Sequence, residues 1–118
     1  MAFADWEIVK GNADASFEKY LDTKAIRQSG PMNTMRRVWE VSNLAKAAPN
    51  KALSIKSHVE YDCKDRRVRI LAELNFSEHF AQGNDLTIKA QEREPGKWGE
   101  IEKGGATEFI FNRVCPRG

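Results

Sequence analysis

Polar and apolar residues alternate along much of this chain, and an alternation with a period of two is typical of β-strands. The longest alternation starts at Leu53. One side of it is largely apolar and carries Leu53, Ile55, Ser57, Val59, Tyr61 and Cys63. The other side is polar and carries Lys56, His58, Glu60 and Asp62. The pattern predicts a strand with one face against the core, and it directs Cys63 inward.

A returning strand is predicted after a turn at residues 62–65, so that the two strands form a hairpin. Its inward residues are expected to be Val68, Ile70, Ala72, Leu74 and Phe76. Its outward residues are expected to be Arg67, Arg69, Glu73 and Asn75. Leu71 is an apolar exception on the outward side.

Turn-forming residues divide the rest of the chain into shorter strand candidates. Strands are predicted at residues 6–10, 16–21 and 34–44, separated by turns at residues 11–14 and 29–31. A further strand, carrying Leu86, Ile88 and Ala90, is expected after a turn at residues 83–85. Residues 45–51 and 92–105 are predicted loops.

The period changes to that of a helix after Ala106, and Pro116 is expected to end this helix. One side of the helix carries Thr107, Ile110, Phe111, Val114 and Cys115. We therefore predict an α+β fold, in which an antiparallel sheet of about six strands carries a C-terminal helix packed on one face.

The length of 118 residues is enough for one core, so we predict a single domain over residues 5–118. No stretch is apolar and long enough to span a bilayer. A net charge of +2 argues against a nucleic-acid partner, because such proteins usually carry a clear basic stripe.

Two cysteines, Cys63 and Cys115, lie far apart and match no zinc-binding spacing. They would be buried thiols in a reducing compartment and a disulfide in an oxidising one. Residues 2–4, directly before Asp5, have the small-x-small pattern of a signal-peptidase site, although ordinary sequence can have it too. This start favours export and a disulfide that ties the C-terminal helix to the sheet.

No catalytic constellation is visible in the sequence. The two histidines, His58 and His79, have no partner at metal-ligand spacing, and neither a phosphate-binding loop nor a nucleophile elbow is present. We therefore expect no enzymatic activity, no metal site and no cofactor.

The residues Lys64, Arg66, Arg67, Arg69 and Leu71 are the candidate binding site. They would form a patch for polyanions or acidic proteins, or else a solvated hairpin whose arginines pair with nearby carboxylates. The strand alternation favours the second interpretation. Since exposed charges contribute little to stability, replacing the three arginines by serine is expected to leave folding nearly intact.

Val38 and Trp39 are adjacent apolar residues that point to opposite faces of their strand. One of them must therefore lie on the face that the helix does not cover, or under a loop. An apolar group there is typical of a homodimer contact or a ligand-binding surface.

Residues 54–69 resemble the central motif of the surface-adhesin protein E-like family, in which a Ser-x-Lys strand leads into Asp-Cys and a basic run. Further matching positions follow in the same order: Trp6, Tyr20-Leu21-Asp22, Arg37-Val38-Trp39 and Val114-Cys115. The loop before the helix departs from the family pattern, with Glu102-Lys103-Gly104-Gly105 in place of a Pro-Gly-Ser-like segment.

The resemblance implies a periplasmic or surface-exposed domain of a Gram-negative bacterium. It also implies a bent sheet whose concave side holds the helix through a Cys63–Cys115 disulfide. Some members of the family are adhesins, so the implied partners are host extracellular-matrix or serum proteins. The alternative is a periplasmic structural or small-ligand-binding protein of the cell envelope.

Overall fold

The computed structural model describes residues 4–10, 15–87 and 96–116. The elements within these residues confirm the predicted α+β fold. In chain order they are β1 Trp6–Ile8, β2 Phe17–Asp22, β3 Arg27–Ser29, β4 Met35–Leu44, β5 Ser54–Asp62, β6 Arg67–Glu78, β7 Gln82–Asp85, β8 Gly99–Glu100 and α1 Ala106–Val114.

All strand pairs are antiparallel, and the main path across the sheet runs β1-β2-β4-β5-β6-β7. The short strand β3 adds to the edge of β4 beyond β2, and β8 adds to β6. These two strands, of three and two residues, were not predicted because they are too short to show an alternation. The long strands β4, β5 and β6 form the centre of the sheet.

The two faces of the sheet differ in what covers them. On one side Val38, Val59 and Tyr61 pack with Ile110 and Val114 of α1, and we call this side the helix face. The opposite side, the open face, carries the odd-numbered residues of β4 and the even-numbered residues of β5. The amphipathic pattern of α1 thus selects the helix face as the core.

A β-bulge in β6 reverses the facing of its second half. Val59 lies opposite Ile70 and His58 lies opposite Ala72, so Leu71 is an extra residue. Val68 and Ile70 consequently lie on the helix face, whereas Ala72, Leu74 and Phe76 lie on the open face. The prediction that these five apolar residues share one face was therefore wrong.

The turn between β6 and β7 is formed by His79–Ala81 and not, as predicted, by residues 83–85, which lie in β7. Phe80 and Ala81 both have a φ of 57°, a left-handed conformation that is unfavourable for residues with a side chain. Two polar side chains on the open face hold this turn: Asn43 Oδ1 accepts from the N–H of Phe80 at 2.7 Å, and Ser54 Oγ accepts from the N–H of Ala81 at 3.0 Å. The predicted turn at residues 11–14 and the strand positions Ile88 and Ala90 lie outside the described residues.

A disulfide between Cys63 and Cys115 joins the end of β5 to the end of α1, as predicted. The Cα atoms are 5.5 Å apart, and both residues contact the core. The bridge closes a segment with a sequence separation of 52, for which the loop-entropy relation gives about 4 kcal/mol of stabilisation. The bridge therefore holds a nine-residue helix against the sheet.

A buried carboxylate, Glu40, lies on the helix face with 4% of its surface exposed. The Tyr61 hydroxyl donates to Glu40 Oε2 at 2.6 Å, and Lys19 Nζ is 3.5 Å from Oε1. Burial raises the pKa of Glu40, and the contacts with Lys19 and Tyr61 offset only part of this rise. The ionised form of Glu40 is thus disfavoured in the folded protein.

Removing the disulfide with Cys63→Ala and Cys115→Ala together should lower the free energy of unfolding by up to about 4 kcal/mol. The backbone amides of α1 should then exchange faster than those of β4 and β5, because the helix loses its anchor. Urea unfolding and hydrogen exchange measure the two effects.

In the unaltered protein, titration of thiols after denaturation without reductant should find no free thiol, because both cysteines are in the disulfide. In the comparison of the variant with wild type, the anchoring role has a clear counter-result. Equal unfolding midpoints would contradict the anchoring role.

Replacing Glu40 with glutamine should change how stability depends on pH. Because the folded state resists ionisation of Glu40, the wild-type protein loses stability as the pH rises above the ordinary glutamate value of 4.5. Glutamine does not titrate, so the stability of the variant relative to wild type should increase between pH 4 and pH 7. Urea unfolding at several pH values measures this, with Glu102→Gln at an exposed position as the control. A difference that stays constant with pH would contradict the assignment.

Candidate binding surface

The strand register arranges the open-face side chains of β4, β5 and β6 in rows that cross the sheet. Consecutive rows are Met35–Asp62–Arg67, Arg37–Glu60–Arg69 and Trp39–His58–Ala72. Neighbouring rows are about 7 Å apart, because side chains on one face repeat every second residue. Two charged rows thus lie beside an aromatic row.

The aromatic row is built on a stack of Trp39 and His58. The two ring centroids are 4.3 Å apart and the planes differ by 10°. Lys56 Nζ lies 4.8 Å from the centre of the Trp39 ring, within the range of a cation–π contact. Burial, with a smaller contribution from Arg37, lowers the pKa of His58, so this imidazole is mostly uncharged at neutral pH. The prediction that one of Val38 and Trp39 faces away from the helix is confirmed, and that residue is Trp39.

The carboxylate of Glu60 is the centre of the adjacent charged row, and only 1% of its side chain is exposed. Arg69 donates through Nε and Nη2 to Oε1 at 3.0 and 2.7 Å. Arg37 Nε and Ser29 Oγ donate to Oε2 at 2.9 and 3.1 Å. Burial alone would raise the pKa of Glu60, but the hydrogen bonds from Arg37, Arg69 and Ser29 outweigh it and lower the pKa. Glu60 is therefore ionised at neutral pH and fully hydrogen-bonded.

Asp62 and Arg67 form the second charged row in a similar way. Arg67 Nη2 donates to Asp62 Oδ2 at 2.8 Å, and the backbone N–H groups of Lys64 and Asp65 donate to Oδ1 at 3.1 Å. Burial opposes the ionised form, but these hydrogen bonds prevail and lower the pKa of Asp62. Beside this row the ring of Trp98 lies 4.8 Å from the Arg67 guanidinium and 4.4 Å from that of Arg69. Trp98 is thus part of the same surface.

The structure separates the predicted binding residues into groups. Arg67 and Arg69 lie on the open face beside Trp98, whereas Arg66 donates to Glu108 of α1 at 3.2 Å and lies 4.7 Å from the Phe111 ring. Lys64 is exposed in the hairpin turn, and Leu71 is the half-buried extra residue of the bulge.

The expectation that serine at all three arginines leaves folding nearly intact does not fit these contacts. Arg67 and Arg69 neutralise carboxylates that are almost completely buried. Removing one partner of such a pair costs up to about 3–5 kcal/mol, because the other charge stays buried and unpaired. A loss of binding in that triple variant would therefore not separate binding from folding.

Several residues of this surface were not among the predicted binding residues, and they include Arg37, Glu60 and Trp98. The pairing of Glu60 with Arg69 could have been found, because the short turn at residues 62–65 sets the register of its hairpin. The pairing of Glu60 with Arg37 depends on a longer connection, and Trp98 follows a segment without periodicity. These two contacts have no signal in the sequence.

The helix face contains a cavity of about 320 Å³ beside α1. Polar residues on its wall are Lys19, Glu40, Ser57, Tyr61, Arg69, Lys97 and Thr107. Val59 and Val68 supply apolar walls. The size and the mixed lining suit a small molecule better than a protein.

In the ranges 4–10, 15–87 and 96–116, no three side chains of histidine, cysteine, aspartate or glutamate come together as metal ligands would. His79 contacts the carbonyl oxygen of Leu44 through Nε2 at 2.9 Å, and His58 stacks on Trp39. The same ranges contain no helix with the length and apolar character that crossing a membrane requires.

Solved structures of protein E from Haemophilus influenzae have the same fold. One superposes with a TM-score of 0.77 at 13% identity and covers 98% of this chain and 86% of that chain. A second crystal form gives 0.70 at 14% identity, with 95% and 96% covered. Protein E from a non-typeable strain gives 0.61 at 14% identity, with 89% and 75% covered.

The sequence, in addition to the fold, matches a known family. A search of curated proteins finds no match to this sequence. The sequence does match the model of the surface-adhesin protein E family over residues 6–116. Because that match spans nearly the whole chain, this protein belongs to the surface-adhesin protein E family.

Proposed function

We propose that this protein is an exported, non-catalytic adhesin that binds a host extracellular-matrix or serum protein through its open face. The observation that supports the proposal most directly is the composition of that face. Arg37, Arg69, Trp39 and Trp98 lie together on the side of the sheet that α1 does not cover. Arginine and tryptophan are enriched at the centres of protein interfaces.

The helix face is a less suitable surface for a macromolecular partner. Its central residues Leu21, Val38 and Ile110 have no solvent exposure, because α1 and the disulfide cover them. A partner protein could reach them only if α1 moved away. Binding through the open face requires no such change.

The predicted basic residues remain part of the proposal with different roles. Arg67 and Arg69 belong to the open face itself, and Lys64 lies at its border in the hairpin turn. Arg66 is the least suitable contact, because it already pairs with Glu108 and packs on Phe111. A second copy of the chain is another occupant that would fit Trp39, and gel filtration would show it as a dimer.

An adhesin of this family would act on the surface of a Gram-negative bacterium. The alternative function is that of a periplasmic envelope protein that binds a small ligand, and the cavity beside Glu40 and Lys19 favours it. Protease treatment of intact cells separates the two. An adhesin should be digested, whereas a periplasmic protein should be protected until the outer membrane is permeabilised.

Two charge substitutions at exposed positions test the open face. Ala72→Glu places a carboxylate on the open face opposite His58, and Asn112→Glu places one on the outer side of α1. If the open face binds the partner, Ala72→Glu should weaken binding about fivefold or more, since a disturbed interface residue costs about 1 kcal/mol or more. Asn112→Glu should leave binding unchanged.

Solid-phase binding to purified matrix and serum proteins measures the effect, after circular dichroism has shown that both variants are folded. The reduced protein serves as a further control for the dependence on the fold. Weakened binding by Asn112→Glu and not by Ala72→Glu would refute the assignment of the open face.

A further inference from the structure

The row through Glu60 carries more positive than negative charge. Arg27 of β3 lies directly opposite Arg37 of β4, and Arg37 lies opposite Glu60. Arg69 completes the row on the other side of Glu60. Like charges directly opposite in a sheet are destabilising, so the placement of Arg27 beside Arg37 is not an arrangement that stability alone favours.

Glu60 cannot itself contact a partner. Each of its two oxygens already accepts two hydrogen bonds, which fills their capacity. The side chain is also closed off from solvent. Any effect of Glu60 on binding must therefore act through the side chains that it holds.

The arginines, in contrast, keep donors that point away from Glu60. Arg37 uses only Nε, and its side chain is 46% exposed. Arg69 uses Nε and Nη2, and its side chain is 26% exposed. Within the described part of the chain, the terminal nitrogens of Arg37 and Nη1 of Arg69 have no hydrogen-bond partner. These donors are available to an anionic group from outside.

The two guanidinium groups are also fixed before any partner arrives. Arg69 is held by two hydrogen bonds to one oxygen and by the ring of Trp98 at 4.4 Å. Arg37 is held through Nε, the nitrogen nearest its aliphatic stem. Side chains that are already ordered lose less conformational freedom on binding, so the same contacts give a higher affinity.

The chemistry of the ligand follows from these donors and their neighbours. A planar guanidinium with free N–H groups matches a carboxylate, to which it can donate two parallel hydrogen bonds. Trp98 adjoins Arg69, and the Trp39–His58 stack lies one row away. A ligand that covers this area needs carboxylates and apolar or aromatic groups together, which an acidic polypeptide segment supplies.

We propose that Glu60 is a positioning residue that orders Arg37 and Arg69 to receive the carboxylates of an acidic polypeptide segment with aromatic side chains. The inference rests on the proposed function of the open face and names the chemistry of its partner.

Two variants test the role of Glu60, one that removes its charge and one that keeps the charge of its partner Arg37. Glu60→Gln removes a negative charge and turns an amide N–H towards one arginine, so the guanidinium groups lose their common acceptor. If long-range attraction alone governed binding, this variant would bind an acidic ligand more tightly than wild type. Positioning predicts the reverse, a weakening of about tenfold, the effect of losing one charged hydrogen bond.

Arg37→Lys keeps the charge and removes the planar fork, so it should also weaken binding about tenfold. Arg36→Lys, one residue away and on the helix face, is the matched control and should have no effect. Since the side chain of Arg37 is nearly half exposed, its replacement should fold even if Glu60→Gln does not. Thermal unfolding of each variant checks this.

Three probes are used: the random copolymer of glutamate and tyrosine, poly-glutamate, and heparin. Biolayer interferometry measures the binding of each probe to the full chain at several salt concentrations. The copolymer should bind more tightly than poly-glutamate and heparin, and the variants should weaken its binding. The inference would be overturned if wild type did not bind the copolymer, or if Glu60→Gln bound it more tightly than wild type. It would also be overturned if heparin bound best and depended equally on Arg37, since the partner would then be a sulfated polysaccharide.

The experiments distinguish a wrong role for Glu60 from a wrong binding surface. If Glu60→Gln and Arg37→Lys bind the copolymer as wild type does, and Ala72→Glu still weakens binding to a matrix protein, the open face remains the binding surface and the role of Glu60 is wrong. If Ala72→Glu has no effect on matrix proteins, the proposed surface itself is wrong.

Discussion

Glu60 lies near the C-terminal end of β5, a central strand of the sheet, with its carboxylate shielded from water. A charge in that position is strongly unfavourable unless it is paired and fully hydrogen-bonded. The pairing of β4 and β6 with β5 meets this requirement, because the register places Arg37 and Arg69 on either side of Glu60. A register shift of one residue would move these arginines to the helix face and leave the carboxylate unpaired. The ion pairs therefore help to specify how the three central strands align.

The disulfide determines which face remains available. Helix α1 has only nine residues, too few for a stable isolated helix, so it depends on its contacts and on Cys115 to stay on the sheet. With α1 fixed over Val59 and Tyr61, the helix does not cover Arg37, Trp39 and Arg69 on the opposite side. One covalent bond near the C-terminus thus separates a face that forms the core from a face that can bind.

The sequence predicted the helix, the disulfide and the long strands because each depends on a local period or on a small number of cysteines. It did not predict the reversal in β6, since Leu71 has the same polarity whether it is an exception in a regular strand or the extra residue of a bulge. It also suggested a solvent-facing role for Glu60 and Asp62, because alternation distinguishes two faces but does not show whether the polar face is dry. That property depends on arginines from neighbouring strands and on Trp98, whose contacts arise only in the folded chain. The turn at Phe80 and Ala81 was missed for a similar reason, since hydrogen bonds that Asn43 and Ser54 accept from its backbone replace the glycine that such a backbone usually needs.

The same contacts that stabilise the open face also prepare its arginines for binding. An arginine paired with a buried carboxylate contributes to folding through the nitrogens that face inward and to recognition through those that face outward. Lysine carries all its donors on one nitrogen, so it cannot present a planar pair of N–H groups to a second carboxylate while it holds the first. The pairing with Glu60 thus explains why arginine, rather than lysine, occupies the two positions beside it. Among the described residues, Lys64 and Arg66 at the hairpin turn pair with no buried carboxylate, so they lack this double role. Since serine at Arg69 would remove both functions at once, only substitutions that keep the charge of Arg37 or the shape of Glu60 can separate recognition from stability.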